Sequence, residues 1–485
     1  MIRLFDTLSG GLKELPVSPS GKTRMFVCGP TVYDYAHLGH ARTYLAFDGF
    51  AKYLASRGYR LYYLQNITDV DDKIIARART EGVTPQALAA TFTKAYFEDM
   101  ARIGVNSVRR YAPASSYISE IIRQIKALIA HGHAYTIPGD GIYFDITTFP
   151  AYGKLSRRTA EQAEDGISRI DESVKKRNRG DFPLWKFPTA PVARSYFRFK
   201  KTVGGEPLWN TRLGWGRPGW HIEDTAITER FFGVHYEIHG GAQDLKFPHH
   251  EAEIAQQESL SGRPLVDLWM HTGFLTIRGE KMSKSKGNFT TIRDFLREHS
   301  PLALRWLTLS HHYRSPVDYA PAVVEQAETE SERIASFINR LAFVANKKEN
   351  QSAANQNLRA EAEAFEKRWH AALSEDFNTP AAFAAAFDFI GSYQDKVFGL
   401  SREDAQRVRQ LIMGLFGALG IQFPVPEIPH SIEQKTAERE LYRRNKQFVQ
   451  SDRLRNELEQ LGYKVSDTPY GPLVEKLWHD PKRTT

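Results

Sequence analysis

Apolar runs that fit buried strands alternate with helical patterns in the N-terminal part of the chain. "RMFVCGP" is a short apolar run closed by Gly-Pro, and "HARTYLAFDGFAKYLASRG" after it has apolar residues at helical spacing. "YRLYYLQNIT" then predicts a second strand, and further helical patterns follow up to residue 104. Alternation of this kind predicts an α/β fold class, with a Rossmann-like, doubly wound parallel sheet.

The pattern also predicts where the sheet is interrupted and where it ends. Strand-like runs resume at "HYEIHGG" and "WMHTGFLTI" after a basic stretch punctuated by Gly and Pro, so we expect an insertion to split the sheet. Beyond residue 300 there are long helical patterns and no convincing strand, then a Pro-rich connector and one last basic helix. The predicted parts are the first half of the α/β fold, the insertion, the second half of that fold, an α-helical bundle and a small C-terminal domain. They span residues 1–115, 116–218, 219–300, 301–424 and 425–485.

Charge is distributed unevenly along the 485 residues. The formal net charge is +8, and residues 1–300 hold 41 Lys and Arg against 32 Asp and Glu, whereas residues 301–485 hold 24 against 25. The basic excess is densest in residues 154–201, which suits either nucleic-acid contact or a solvated face.

The cysteine count and the hydropathy pattern indicate the cellular compartment. The single cysteine cannot form an intrachain disulfide, and the N-terminus lacks the basic and apolar regions of a signal peptide. No apolar run approaches the ~20 residues that a spanning helix needs. We therefore expect a cytoplasmic protein with no role at a membrane.

Two motifs carry candidate chemistry. His37-Leu38-Gly39-His40 lies where the first helix should begin, so two imidazoles and a helix N-terminus could hold phosphates, and Gly39 lets a flat base approach the backbone. Paired histidines near a strand end are more often capping or core residues, so this motif needs a partner. "GEKMSKSKGNF" offers one, because Lys281 and Lys284 are mobile point charges suited to a triphosphate, although a solvated basic loop has the same composition.

Together the two motifs resemble the paired HIGH and KMSKS signatures of class I aminoacyl-tRNA synthetases. Further segments narrow the resemblance to the cysteinyl-tRNA synthetase family: "FVCGPTVYDYAHLGHAR", "NITDVDDKI", "GRPGWHIED", "IHGGAQDLKFPHHEAEIAQ" and "EDFNTPAAF". The resemblance implies an enzyme that makes cysteinyl-adenylate and pyrophosphate from cysteine and ATP. The cysteinyl group would then pass to the 3'-terminal adenosine of cysteine tRNA. Mg²⁺ would accompany the ATP, and the C-terminal part would bind the anticodon.

The resemblance also assigns residues to the reaction. His37 and His40 would hold the phosphates, and Lys281 and Lys284 would neutralise the departing pyrophosphate. Thr68 and Trp220 match positions in the cysteine-binding pocket, although Thr68 could instead be a helix cap and Trp220 a core residue. The residues expected to bind ATP are His37, Gly39, His40, His239, Gly240, Asp244 and Lys284.

The family holds a zinc ion at the floor of its amino-acid pocket, and three ligands match Cys28, His249 and Glu253. His249 and Glu253 are four residues apart, so they share one face of a helix. Many family members have cysteine where this chain has Asp224. A carboxylate keeps the formal ligand charge, so the resemblance implies one Zn²⁺ on these four residues. The alternatives are a metal-free site with Asp224 in a hydrogen bond, and Cys28 as a plain buried residue.

Two other functions are compatible with such a core. A cysteine ligase that acts on an amino-sugar pseudodisaccharide has a similar core but lacks an anticodon-binding end, and a non-catalytic RNA-binding relative would usually lose one ATP signature. Both signatures are intact here, and roughly 180 residues follow the core. That region ends in a basic helix with Arg443, Arg444, Lys446, Arg453 and Arg455. The resemblance implies cysteine tRNA, ATP and L-cysteine as partners, and we expect a monomer.

Overall fold

The computed structural model of the protein describes residues 1–17, 21–158, 175–189, 201–203, 205–282, 287–347, 355–423 and 427–477. The chain separates into two compact units. The first comprises Met1–Pro301, His311–Ala320 and Ser374–Phe377, and the second comprises Leu302–Ser310, Pro321–Leu373 and Asn378–Thr485. Within the described ranges, every helix is too short or too polar to cross a membrane.

The first unit alternates strands and helices along most of its length. In chain order its elements are β1 (Arg3–Asp6), β2 (Gly11–Glu14), β3 (Lys22–Val27), α1 (Leu38–Ser56), β4 (Arg60–Ile67), α2 (Asp72–Glu81), α3 (Pro85–Arg102), β5 (Arg110–Pro113), α4 (Ile118–Ala130), β6 (Ala134–Ile137), β7 (Gly141–Phe144), β8 (Phe182–Lys186), β9 (Lys201–Val203), β10 (Glu206–Thr211), β11 (Gly214–Pro218), α5 (Trp220–Phe232), β12 (Tyr236–Ala242), α6 (His249–Ser261), β13 (Val266–Thr272), β14 (Leu275–Ile277), β15 (Glu280–Lys281), α7 (Ile292–Glu298) and β16 (Val317–Asp318).

Five parallel strands form the central sheet of this unit, in the order β13, β12, β3, β4, β5. β3 comes first along the chain yet lies in the middle, so the winding direction reverses between β3 and β12. This is a doubly wound sheet, and the predicted α/β fold class is confirmed. Where the winding reverses, the carboxyl ends of the two strands leave a crevice.

Helix α1 packs closely on the sheet beside this crevice. Met25, Phe26 and Val27 of β3 are fully buried, as expected for a parallel strand covered on both faces. A Cβ atom at Gly240 of β12 would lie 2.4 Å from the ring of Phe47 on α1. The strand therefore needs glycine at this position for the helix to pack.

The predicted insertion separates β5 from β12 and carries its own sheet. Its six strands are antiparallel, in the order β6, β7, β8, β11, β10, β9. Trp185 and Leu184 of β8 are fully buried in a core shared with Ile222 of α5 and Ala252 of α6. Because α5 and α6 carry predicted ligands, the insertion helps to position the candidate site.

The second unit is mainly helical. Its elements are α8 (Pro301–Leu309), α9 (Pro321–Ala345), α10 (Gln356–Ser374), α11 (Thr379–Tyr393), α12 (Arg402–Gly417), α13 (His430–Arg444), α14 (Phe448–Gln460), β17 (Tyr463–Thr468) and β18 (Gly471–Lys476). In its core Phe416 of α12 contacts Trp306 of α8 and Trp369 of α10, with ring centroids 5.5 Å and 4.8 Å apart. The predicted helical bundle is confirmed.

Two expectations for the C-terminal part are wrong. β17 and β18 form an antiparallel hairpin where no strand was expected, because these strands bury few apolar side chains, Val465 and Leu473 among them. The single basic helix is two helices, α13 and α14, because the chain turns between them with Lys446 at φ 59°. The boundaries of the five sequence-predicted parts stay predictions.

Candidate metal and nucleotide site

A cleft of about 370 Å³ opens at the carboxyl ends of β3 and β12. Most of its walls come from the loop after β3, the first turns of α1 and the loop after β12. Six predicted site residues line it: Cys28, His37, Gly39, His40, Trp220 and Asp244. The structure thus brings both histidines of the first motif to the same opening as the single cysteine.

His37 and His40 stack on each other at the start of α1. Their ring centroids are 3.9 Å apart at an interplanar angle of 21°, and the backbone N–H of His37 donates to Nδ1 of His40 at 3.2 Å. A Cβ atom at Gly39 would lie 2.8 Å from the His37 ring, so this stacked pair requires glycine between them. Two imidazoles beside a helix N-terminus form a site suited to an anion.

The flanks of the lysine-rich segment lie at the same cleft. Met282 lines the cleft, and the backbone N–H of Leu38 donates to the carbonyl of Thr290 at 3.0 Å. The N–H of Ile292 also donates to the carbonyl of Ala36 at 2.9 Å. Lys281 ends β15 but its side chain is not among the described groups, and Lys284 lies outside the described residues. The C-terminal flank of the segment is therefore hydrogen-bonded beside the stacked histidines, and Met282 lines the same cleft.

Beneath the cleft, the four predicted metal ligands meet. Sγ of Cys28 lies 3.3 Å from Oδ2 of Asp224 and 3.9 Å from Oε1 of Glu253. Nε2 of His249 lies 3.0 Å from Oδ2 of Asp224 and 3.2 Å from Oε1 of Glu253. These spacings suit the edges of a tetrahedron around an ion with ligands at roughly 2.0–2.3 Å.

The electrostatics of these four side chains favour a bound cation. All four are buried, and burial together with neighbouring carboxylates raises the pKa of the Cys28 thiol and of the Glu253 carboxyl. Oε2 of Glu253 is buried without a hydrogen-bond partner. Within the described ranges, the partners of the four side chains include no lysine or arginine. Buried carboxylates without a counter-charge are costly, so the donor set fits a divalent metal ion.

Two more histidines contact the same thiol, and sequence reasoning missed one of them. Nε2 of His250 lies 3.1 Å and Nε2 of His239 lies 3.5 Å from Sγ of Cys28, which makes a second possible ligand set with Glu253. Burial lowers the pKa of both imidazoles, so they are neutral near pH 7. His250 was overlooked because adjacent residues on a helix point in different directions. The doubled histidine in "PHHEAE" was the available signal.

Of the two residues predicted for the cysteine pocket, Trp220 lines the cleft and Thr68 does not. The indole of Trp220 lines the cleft and stacks on the His249 ring, with centroids 4.2 Å apart and an interplanar angle of 13°. Thr68 is fully buried, and its hydroxyl donates to the carboxylate of Glu223. It does not cap α2, because that helix is capped by Asp71.

His239 and Gly240, predicted to bind ATP, are buried on β12 and are not among the residues that line the cleft. The His239 ring is stacked on Trp269 at 4.3 Å, and its Nδ1 lies 2.7 Å from the hydroxyl of Tyr236. Gly240 faces Phe47, as described above. The structure therefore brings Asp244, but not these two residues, to the cleft.

Comparison with known proteins gives consistent results. Residues 15–329 match the family model described as "tRNA synthetases class I (C) catalytic domain", and residues 368–423 match the DALR domain. Two solved structures share the fold at low sequence identity. They are a putative arginyl-tRNA synthetase from Campylobacter jejuni (TM-score 0.56, 15% identity, 85% of this chain and 95% of that one) and the methionyl-tRNA synthetase of Mycobacterium tuberculosis bound by methionyl-adenylate (TM-score 0.56, 14% identity, 82% and 90%).

Curated relatives match over nearly the whole chain. A protein named "Cysteine--tRNA ligase" from Caldicellulosiruptor saccharolyticus is 38% identical over 480 residues, which is 98% of this chain and 100% of the relative. A protein of the same name from Thermoplasma acidophilum is 40% identical over 468 residues, 96% of this chain and 98% of the relative. With its doubly wound sheet and its matched catalytic region, the chain belongs to the cysteine–tRNA ligase family of class I tRNA synthetases.

Proposed function

We propose that this chain activates L-cysteine with ATP and transfers it to the 3'-terminal adenosine of cysteine tRNA. The main supporting observation is that the first ATP signature lines one cleft together with Met282 of the second, and that Cys28, a member of the buried thiol, imidazole and carboxylate cluster, lines the same cleft. The relatives that match the whole length of the chain carry the corresponding name. A monomeric state and a cytoplasmic location stay predictions.

Catalysis in this proposal rests on positioning and electrostatics. A carboxylate oxygen of cysteine attacks the α-phosphorus of ATP, and the bond from that phosphorus to the leaving pyrophosphate breaks. His37 and His40 donate hydrogen bonds to the phosphates from the start of α1, where the helix N-terminus also favours negative charge. Lys281 and Lys284 neutralise the charge that develops as pyrophosphate departs, and Mg²⁺ bound to the ATP would share that charge.

Cys28, Asp224, His249 and Glu253 would hold a zinc ion. When bound, the ion supplies a Lewis acid with high affinity for the thiolate of the substrate, which a serine hydroxyl matches poorly. Both possible sets contain Cys28 and Glu253, and this one is favoured because Trp220, which lines the cleft, stacks on His249.

The function is tested with purified protein, ATP, cysteine and a transcript of cysteine tRNA. We expect cysteine-dependent exchange of pyrophosphate into ATP, and formation of cysteinyl-tRNA. An amino-sugar pseudodisaccharide, offered in place of the tRNA, should not be cysteinylated. Exchange without tRNA charging, together with transfer to the amino sugar, would support the pseudodisaccharide ligase. Absence of exchange would support a non-catalytic relative.

Two exposed arginines on α14 lead to a separate expectation for tRNA binding. Arg453 and Arg455 are exposed on α14, where they can neutralise phosphates. At tRNA concentrations below saturation, the double substitution Arg453→Ala/Arg455→Ala should lower the rate of tRNA charging by about tenfold or more. The rate of pyrophosphate exchange should change by less than about twofold. Arg407→Ala, an exposed arginine on α12, is the matched control. Equal charging by the double variant and wild type would contradict RNA binding by α14.

A further inference from the structure

Asn66 lies against the metal cluster without being one of its candidate ligands. It is the second-to-last residue of β4, next to β3, and its side chain is fully enclosed, with 1% of the residue exposed. A buried amide is retained at little cost only when its donors and acceptor have partners. Of the three partners of the Asn66 side chain, Asp224 is a predicted metal ligand and Gly29 follows another, Cys28; the third is the hydroxyl of Thr68, 3.4 Å from Nδ2.

The side chain of Asn66 joins the backbone beside Cys28 to the carboxylate of Asp224. Its Oδ1 accepts a hydrogen bond from the N–H of Gly29 at 2.5 Å, and its Nδ2 donates to Oδ1 of Asp224 at 2.5 Å. A backbone N–H only donates, so the atom facing Gly29 must be the amide oxygen. The nitrogen is then directed at Asp224, and the amide orientation is determined by its surroundings.

The two oxygens of Asp224 have different partners. Oδ2 faces the cluster, 3.3 Å from Sγ of Cys28 and 3.0 Å from Nε2 of His249, whereas Oδ1 accepts the hydrogen bond from Asn66. A thiolate at this position would present one donor atom and leave no second acceptor to be partnered. A carboxylate presents two, so its use here as a single-atom ligand requires a partner for the other oxygen.

We infer that Asn66 is a positioning residue that holds Asp224 as a one-oxygen metal ligand. This inference rests on the proposed metal site. By occupying Oδ1, the amide leaves only Oδ2 for the ion. The hydrogen bond from Gly29 to Asn66 fixes the position of the amide, and so of the Asp224 carboxylate, relative to Cys28. Residues that hydrogen-bond to metal ligands orient those ligands, and their substitution typically lowers metal affinity by about 10–100-fold.

The inference is tested by substituting Asn66 in two backgrounds. In the wild-type background, Asn66→Ala should weaken zinc binding by roughly 10–100-fold, measured by competition with a chromophoric chelator. In the Asp224→Cys background, the same substitution should change zinc affinity by less than about threefold, because a thiolate needs no second partner. The absorption spectrum of bound Co²⁺ should change in the first background and not in the second, since it reports coordination geometry.

Two further variants separate positioning from general loss of stability. Gln65 is an equally buried amide one residue earlier on β4, and it accepts a hydrogen bond from the Tyr96 hydroxyl at 2.7 Å. Gln65→Ala should destabilise the fold without changing zinc affinity. Asn66→Asp is nearly isosteric and keeps an acceptor for Gly29 but loses the donor to Asp224, so it should also weaken zinc binding. This variant replaces Asn66→Ala in the test if Asn66→Ala fails to fold.

The possible outcomes distinguish this inference from the proposed metal site. Wild-type protein that binds no metal would overturn the proposed site and the inference together. Wild-type protein that binds zinc, with unchanged zinc affinity in Asn66→Ala and Asn66→Asp, would overturn the inference alone. Equal losses of zinc affinity in the wild-type and Asp224→Cys backgrounds would also overturn the inference. The substitution of Asn66 would then act through Gly29 and Cys28 rather than through Asp224.

Discussion

Asp224→Ala is expected to lose both the bound metal and the discrimination between cysteine and serine. The two amino acids differ little in shape, so a pocket that measures size alone separates them weakly, whereas a contact specific for the thiolate separates them strongly. Removing one of four ligands opens the site and removes a buried charge that the ion requires. We expect the ratio of kcat/KM for cysteine over serine, measured by pyrophosphate exchange, to fall by roughly 10³-fold or more.

Metal content and one restoring substitution complete this experiment. Purified wild-type protein should contain about one zinc per chain, because four protein ligands complete the tetrahedral coordination of a single zinc ion. Asp224→Cys should keep the metal at the same formal charge and bind it more tightly, because a thiolate is the softer donor. A thermal unfolding curve for each variant controls for folding. Metal-free wild-type protein that still prefers cysteine by orders of magnitude would refute the assignment and leave Cys28 as a core residue.

Lys284→Ala should slow cysteine-dependent pyrophosphate exchange by at least ~100-fold with little change in the KM for cysteine. The lysine charge is needed mainly when pyrophosphate departs, so its loss should raise the barrier rather than weaken ground-state binding. The hydrogen bonds of Leu38 and Ile292 support this expectation, since they hold one flank of the lysine segment beside the stacked histidines.

A neighbouring lysine provides the control for this prediction. Lys286 is in the same basic segment but lies outside the KMSKS signature, so Lys286→Ala should change the exchange rate by only a fewfold if the effect depends on position rather than on total charge. Exchange by Lys284→Ala at nearly the wild-type rate would remove the assigned role. Equal losses in both lysine variants would instead indicate a general electrostatic contribution of the segment.

Local sequence patterns predicted the alternating core and part of the site. Helical periodicity and spacing act over a few residues, so α1 and the shared face of His249 and Glu253 on α6 could be read directly. Signals based on apolar periodicity were too weak for β17 and β18, where most side chains are polar or only partly buried. The break between α13 and α14 was missed for a related reason, since Lys446 adopts φ 59° without a glycine to mark the turn.

The sequence by itself determined the α/β fold class, the two ATP signatures and the four candidate ligands, through local periodicity and through resemblance to a family. Only the tertiary structure decided that Cys28 and Asp224, 196 residues apart, place Sγ and Oδ2 within 3.3 Å of each other. It also decided that His250 contacts the thiol and that Asn66 holds the other oxygen of Asp224. Local patterns indicate which face of an element is buried, whereas the order in which the strands wind determines which buried faces meet.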